Sequence, residues 1–233
     1  MLQIDPELSK QDNFLAGQVI LIDKPLEWTS FDVVKKVRNN IRIKKVGHAG
    51  TLDPLASGLL ILCTGKKTKS IEEYMGQVKE YTGTFTIGST TPTFDLESEP
   101  TNHKVYDHIT SEDIEKVRDQ FLGEITQTPP IHSAVKVDGK RVYELARKGE
   151  TVKLKSRQVT VSEFEITKID LPQIEFRVVC TKGTYIRSLA DDFGEELGTG
   201  AHLSRLRRTK IGNFKVDDAY QLNDLITYLS ELT

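Results

Sequence analysis

The stretch Gly47-His48-Ala49-Gly50-Thr51-Leu52-Asp53-Pro54-Leu55-Ala56-Ser57-Gly58 constrains this chain more than any other. Its glycines at 47, 50 and 58 and its proline at 54 oppose any regular element, so 46–58 reads as a loop. Leu59–Cys63 then resumes as a short buried strand. A carboxylate held between glycine-permitted turns and a rigid proline, and followed at once by a core strand, is a fixed group on a shaped loop. Asp53 in that setting suits a nucleophile or a general base. On the residues alone, an aspartate capping a turn fits as well.

The rest of the chain mixes strands and helices without a regular alternation. Gln18–Asp23 reads as a buried strand that Lys24-Pro25 ends, because proline cannot continue a ladder. Thr29 or Ser30 caps a helix running to about Ile41, with Val33, Val34, Val37 and Ile41 on its apolar stripe and the lysines and Arg38 outward. Tyr81–Ile87 alternates strictly, placing Tyr81, Gly83, Phe85 and Ile87 on the apolar side. A helix is predicted over Ser111–Leu122 and stopped by Gly123. Asp138-Gly139 signals a hairpin, followed by a short helix ending at Gly149. Strands are predicted at 157–168 and 173–180, the latter with Ile174, Phe176 and Val178 inward, and helices from about Tyr185 to Leu197 and at about 222–231. Irregular interspersion with hairpins predicts an α+β fold with a mixed, mostly antiparallel sheet flanked by helices and loops, not a doubly wound one.

At 233 residues, 37% hydrophobic and 28% charged, the chain is long enough to bury its own core as one large or two small domains. No apolar run approaches the roughly 20 residues of a membrane span. The start MLQIDPELSKQDNF lacks the basic and apolar parts of a secretory signal. A cytoplasmic location follows as the expectation, with residues 1–16 a loose N-terminal extension and 17–233 one catalytic domain. Cys63 and Cys180 lack partners at metal-ligand spacing, so both are expected to be buried thiols, with no metal and no disulfide.

The formal net charge of -2 argues by itself against a nucleic-acid partner, but it conceals segregation. Residues 35–45 carry six positive charges and no negative one, and 136–157 hold eight basic against three acidic residues. Arg205, Arg207, Arg208 and Lys210 form a third cluster, while acid gathers between Asp95 and Asp119 and at Asp191, Asp192, Glu195 and Glu196. This pattern fits one positive face for phosphate binding, and it fits ordinary solvated faces equally.

GHAGTLDPLASGLL is similar to the G-H-x-G-x-L-D-P-x-A-x-G signature of the TruB-type pseudouridine synthases, a family that includes the related Cbf-type enzymes. Three further stretches agree in the same order. DKPLEWTS at 23–30 resembles the early K-P-x-G-x-T-S motif, KEYTGTFTIG at 79–88 the K-x-Y strand, and KGTYIRSLADDFGEELGTGAHLSRLRR at 182–208 the G-T-Y-I-R region. The resemblance spans roughly residues 17–215. It implies a pseudouridine synthase fold with a central catalytic cleft, and conversion of uridine to pseudouridine at position 55 in the T loop of tRNA. It also implies a base turned out of its stack into a closed pocket, with no cofactor.

In that family the residue matching Asp53 is the essential carboxylate, and the one matching Arg187 pairs with it through a planar fork. Tyr81 is implied to stack on the target uracil and to assist the proton transfer from C5. His48 is implied to occupy the space the base vacates, Lys24 to support the active-site loops, and Tyr185 and Leu206 to line the base site. A packing role fits the last two nearly as well. Phosphate contacts are expected from Lys35, Lys36, Arg38, Arg42, Lys44 and Lys45, joined by Lys136, Lys140 and Arg141.

Two departures stand out. Glu27 replaces the usual glycine of the early motif, and Thr91-Pro92-Thr93-Phe94-Asp95 keeps only the second aspartate of the family's T-D-T-x-D. No C-terminal PUA-like module is apparent, so the catalytic domain is expected to supply most of the RNA affinity. The expected partner is the T stem-loop of tRNA, met by a monomer without a guide RNA. A non-catalytic RNA chaperone and a nucleoside glycosidase are the competing readings. Retention of Asp53, Tyr81 and Arg187 opposes the first, and the lack of a second carboxylate in the motifs opposes the other.

Overall fold

The computed structural model describes residues 2–130, the backbone of 136–137 and 140–141, and residues 154–232. The predicted turn residues Asp138 and Gly139 and the short helix ending at Gly149 lie outside the described residues. The chain divides into two compact units, Met1–Tyr81 with Leu206–Thr233, and Thr82–Arg205.

The first unit begins with α1 (Lys10–Ala16), inside the stretch expected to be loose. Ser9 caps this helix by accepting from the Asp12 N–H, the local signal for a helix start. So short a helix is marginal alone, and Phe14 anchors it, fully buried among Ile20, Ile22 and Leu62. Strand β1 (Val19–Lys24) follows, then α2 (Ser30–Ile41), which Thr29 caps in a reciprocal box with Asp32. The predicted stripe Val33, Val34, Val37 and Ile41 is buried.

The glycine-rich segment is less irregular than its composition predicts, since β2 (Val46–His48) and β3 (Ala56–Thr64) close in on it and pair antiparallel. Within β3, Leu60 and Leu62 pack toward α2, whereas Leu59, Ile61 and Cys63 join a second cluster with Ala49. Burial on both faces is why this strand reads as a continuous apolar run. A 3-10 turn (Gly65–Ser70) and α3 (Ile71–Gly76) lead to β4 (Lys79–Ile87), along which the chain passes into the second unit.

The second unit contains α4 (Ser111–Gln120), β5 (Gly123–Gln127), β6 (Lys136–Val137), β7 (Lys140–Arg141), β8 (Arg157–Asp170), β9 (Gln173–Cys180) and α5 (Ile186–Glu196). Helix α4 stops two residues before its predicted end, and Gly123, at φ +86°, starts β5 instead. The backbones of β6 and β7 pair antiparallel around the predicted hairpin turn. The strand order here runs β10 (Ala201–Ile211), β4, β9, β8, β5, with β5·β8 and β8·β9 antiparallel.

Phe85, Phe164, Phe176 and Phe193 form the aromatic core of this unit, with Phe85 and Phe176 centroids 4.2 Å apart. Gly83 is required by that packing. A Cβ there would lie 2.7 Å from the Phe176 ring and 2.5 Å from the Arg205 carbonyl oxygen.

Strand β10 carries the chain back to the first unit, which ends with β11 (Phe214–Lys215), a 3-10 turn (Val216–Asp218), β12 (Tyr220–Gln221) and α6 (Leu222–Glu231). Its strand order is β12, β1, β3, β10, with β1·β12 and β3·β10 parallel and β1·β3 antiparallel. Helix α6 lies where it is predicted and buries Leu222, Leu225 and Leu229. The fold is α+β with a mixed, mostly antiparallel sheet, as expected. Cys63 and Cys180 are both buried.

Candidate active site

Asp53 sits half-buried on the loop between β2 and β3, in the first unit. What distinguishes that loop is how completely its backbone is engaged. The Ala49 N–H donates to the Ile61 carbonyl at 2.9 Å. Leu52 is held twice by Ser30, its N–H donating to Oγ at 2.9 Å and its carbonyl accepting from the same hydroxyl at 3.2 Å. The Asp53 carbonyl accepts from the Ala56 N–H at 3.1 Å, and the Pro54 carbonyl from the Glu27 N–H at 2.9 Å. A loop whose polar groups are satisfied by other elements has no reason to rearrange, and its carboxylate inherits that rigidity.

Two buried cations complete the clamp. Lys24, fully buried at the end of β1, donates to the carbonyls of Pro25 at 2.8 Å, Trp28 at 2.6 Å and Pro54 at 3.4 Å. Arg208, 1% exposed on β10, donates from Nε to the Leu59 carbonyl at 2.8 Å and from Nη2 to the Gly50 carbonyl at 3.1 Å, and its Nη1 lies 3.5 Å from the Thr51 carbonyl. Gly58 explains how Arg208 gets there. The two residues are register partners in the parallel β3·β10 pair, and a Cβ on Gly58 would sit 2.3 Å from the Arg208 carbonyl oxygen.

These cations set the local electrostatics. Burial pushes the Lys24 ammonium down to about 8; Asp53 opposes that shift and Arg208 adds to it. Burial, and then the Arg208 guanidinium, lower the pKa of His48, against a smaller opposing effect of the Gly50 backbone. The imidazole at the end of β2 is thereby biased toward its neutral form, and its Nδ1 is buried with no hydrogen-bond partner among the described residues. Tyr81 on β4 is 9% exposed, and Leu206 is 8% exposed opposite Ala56 of β3.

In the second unit, Tyr185 caps α5, and its backbone is clipped by the Gln127 side chain. The Tyr185 N–H donates to Oε1 at 2.7 Å and its carbonyl accepts from Nε2 at 2.9 Å. The Arg157 guanidinium lies over the Tyr185 ring at 4.7 Å. Arg187 is buried, donates from Nη1 to the Thr93 carbonyl at 3.2 Å, and stands 3.6 Å from the Asp95 carboxylate. Asp95, the aspartate this chain retains, thus stands beside Arg187. Glu27, in place of the family's glycine, takes φ +64°, the left-handed backbone that glycine adopts without strain.

Of the expected phosphate-binding residues, Lys35, Lys36, Arg42, Lys44 and Lys45 are exposed and Arg38 is half-buried. The side chains of Lys136, Lys140 and Arg141 lie outside the described residues. The third basic cluster is corrected by the structure. Arg208 is buried, Arg207 makes a two-pronged pair with Asp23 at 2.9 and 2.7 Å, Lys210 pairs with Glu80 at 2.9 Å, and Arg205 is exposed with no ion pair among the described residues. Sequence reasoning missed Arg208, Ser30 and Gln127 as positioning groups. Only Gly58, a glycine marking close backbone approach, signals the first of them.

The model of the TruB family pseudouridylate synthase N-terminal domain matches residues 38–186, and that of the tRNA pseudouridylate synthase B C-terminal domain matches 187–231. A tRNA pseudouridine synthase B from Flavobacterium johnsoniae is 56% identical over 218 residues, covering 91% of this chain and 95% of that protein. One of the same name from Phocaeicola vulgatus is 51% identical over 225 residues, covering 94% and 96%. Among solved structures, a Cbf5-Nop10-Gar1 complex matches with a TM-score of 0.74 and 31% identity, covering 97% of this chain and 60% of that one.

Proposed function

The chain belongs to the TruB family of pseudouridylate synthases, and from that membership we propose that it converts uridine to pseudouridine at position 55 in the T loop of tRNA, with Asp53 as the catalytic carboxylate. The observation that carries the assignment to Asp53 is the clamped loop. Six of its backbone partners come from Lys24, Glu27, Ser30, Ala56, Ile61 and Arg208, which fix this carboxylate more firmly than a turn cap requires.

The reaction breaks the bond from ribose C1' to N1, turns the uracil, and joins C1' to C5, with the proton of C5 lost and one gained at N1. Atoms and electrons balance within the nucleotide, so the chemistry calls for a fixed anion and no redox partner. An ionised Asp53 serves as the nucleophile or base. Arg187 is assigned to keep that carboxylate charged and oriented, Tyr81 to stack on the uracil and assist the C5 proton transfer, and Tyr185 and Leu206 to line the base site. His48, biased toward its neutral form, fills the gap left by the flipped base, and Lys24 supports the loop. Bacterial relatives named tRNA pseudouridine synthase B match over nearly their whole length, which supports tRNA as the substrate, and the enzyme is assigned as a cytoplasmic monomer acting without guide RNA.

Tritium release from tRNA labelled at uracil C5 tests this directly, with purified protein and no guide RNA added. Release at one T-loop uridine is the expected result, and Asp53→Asn should lose it by about a thousand-fold while still retaining tRNA. Normal turnover by Asp53→Asn removes the assignment. Tyr81→Phe, which keeps the ring and loses the hydroxyl, should bind tRNA normally and release tritium more slowly.

A further inference from the structure

One exposed stripe on α2 differs from the other surface helices. Residues 31, 35 and 38 follow each other at spacings of four and three, so Phe31, Lys35 and Arg38 stand in line along the helix, and Arg42 follows as its C-cap in left-handed backbone. The line covers about 16 Å and carries roughly one cation per turn. Lys44 and Lys45 extend it past the helix end. None of these cations has an ion-pair partner among the described residues, whereas Arg118, Arg177, Arg207 and Lys210 all do.

At the head of the line Phe31 is 58% exposed, with the Arg38 guanidinium 6.0 Å over its ring. Leu26, on the preceding turn, is 56% exposed as well. An aromatic side chain left in water at the end of a row of unpaired cations is the combination that single-stranded nucleic acid recognises. Phosphates follow the cations, and a base stacks on the ring whatever its identity.

We propose that Phe31 is a stacking platform for an unpaired base of the RNA substrate, at the head of a phosphate track formed by Lys35, Arg38 and Arg42. The proposal rests on the reading of this chain as an enzyme acting on tRNA. It adds a stacking contact that charge counting along the sequence does not reveal. The ring takes no part in the isomerisation, so it sets affinity and leaves the chemical step alone.

The test compares full-length wild-type protein, Phe31→Ala and Phe31→Trp. Equilibrium binding of a tRNA transcript is measured by filter retention over a range of salt, and tritium release in single turnover at saturating RNA. Phe31→Ala should bind about tenfold more weakly with an unchanged salt slope and an unchanged single-turnover rate, and Phe31→Trp should restore binding. Wild-type affinity in Phe31→Ala overturns the platform, as does a Phe31→Trp protein as weak as the alanine variant. A sedimentation shift from dimer to monomer in Phe31→Ala, with RNA binding intact, makes the patch a self-association surface and also overturns it. Wild-type protein that binds tRNA without releasing tritium removes the proposed activity, while the binding comparison still decides the platform.

Discussion

Two stretches of this chain are about equally rich in arginine and lysine, and the fold uses them in opposite ways. From Lys35 to Lys45 the cations line one side of α2 and the turn after it, exposed or half-buried, with no acidic partner among the described residues. From Arg205 to Lys210 they alternate along β10, where Arg208 is buried against carbonyls and Arg207 and Lys210 are paired with Asp23 and Glu80. A helix segregates its charges from its apolar stripe, so a basic run remains available to solvent and to phosphates. A strand inside a sheet turns every second residue inward, so a basic run there is divided between the core and the neighbouring strands. Charge density along a sequence therefore measures a binding surface only once the period of the element is known.

Arg208 is where that difference should be largest. Arg208→Met leaves the Leu59 and Gly50 carbonyls without their charged donor, at a cost of about 3 kcal/mol or more in chemical denaturation. The relaxed loop should slow tritium release by about a hundredfold, the scale expected when a reacting group is misplaced by an ångström. Arg208→Lys keeps the charge without the fork and should recover only part of either loss. If Arg208→Met were stable and changed only the salt dependence of tRNA binding, β10 would belong with α2 after all.

Lys44→Glu with Lys45→Glu probes the other side of the comparison. Both residues are exposed, so the fold should be unaffected, while tRNA affinity falls by about tenfold or more and its dependence on salt flattens. An unchanged salt slope removes this segment from the interface.

The same contrast explains what was legible beforehand. The α2 stripe, the β4 alternation, the β8 and β9 strands and α6 were readable because their patterns have one period and one buried face. Strand β10 was not, because Arg205, Arg207, Arg208 and Lys210 mask its alternation, and α1 was missed because a single anchor, Phe14, fixes it. The position of Asp53 on a shaped loop ahead of a core strand was legible from its motif. Of the groups that clamp its loop, Lys24 was implied by the resemblance, whereas Ser30 and Arg208 were not, since they reach the loop from distant parts of the sequence and act on backbone carbonyls and N–H groups, which carry no side-chain signature.

Lys24 gives a subtler test of whether buried cations here are structural. Its folded pKa is lowered from 10.5 to about 8, so between about pH 8 and 10.5 the unfolded chain holds a proton that the folded chain has released. Stability contributed by this site therefore rises with pH through that window and is lost as pH falls back through it. Lys24→Met should be less stable throughout and should lack that rise, seen as a difference in the slopes of denaturation midpoint against pH. Equal slopes in the two proteins would mean that Lys24 is better hydrated than its three carbonyl contacts imply.

The smallest expected effect is on RNA binding by Arg207, and it is also the cleanest discriminator. Arg207 is partly exposed and belongs to a basic run, so charge counting assigns it to the substrate; its guanidinium is instead engaged by both oxygens of Asp23, a largely buried carboxylate. Arg207→Ala strands that carboxylate, which Gln221 also contacts at 3.1 Å, and should cost about 1–2 kcal/mol of stability. Its tRNA affinity and salt slope should match wild type within error. Arg207→Ala with Asp23→Asn should recover part of the stability, because the stranded charge is gone. A salt slope reduced by about one in Arg207→Ala would mean that this cation leaves Asp23 to meet a phosphate, so that an intramolecular ion pair does not by itself exclude a residue from the RNA interface.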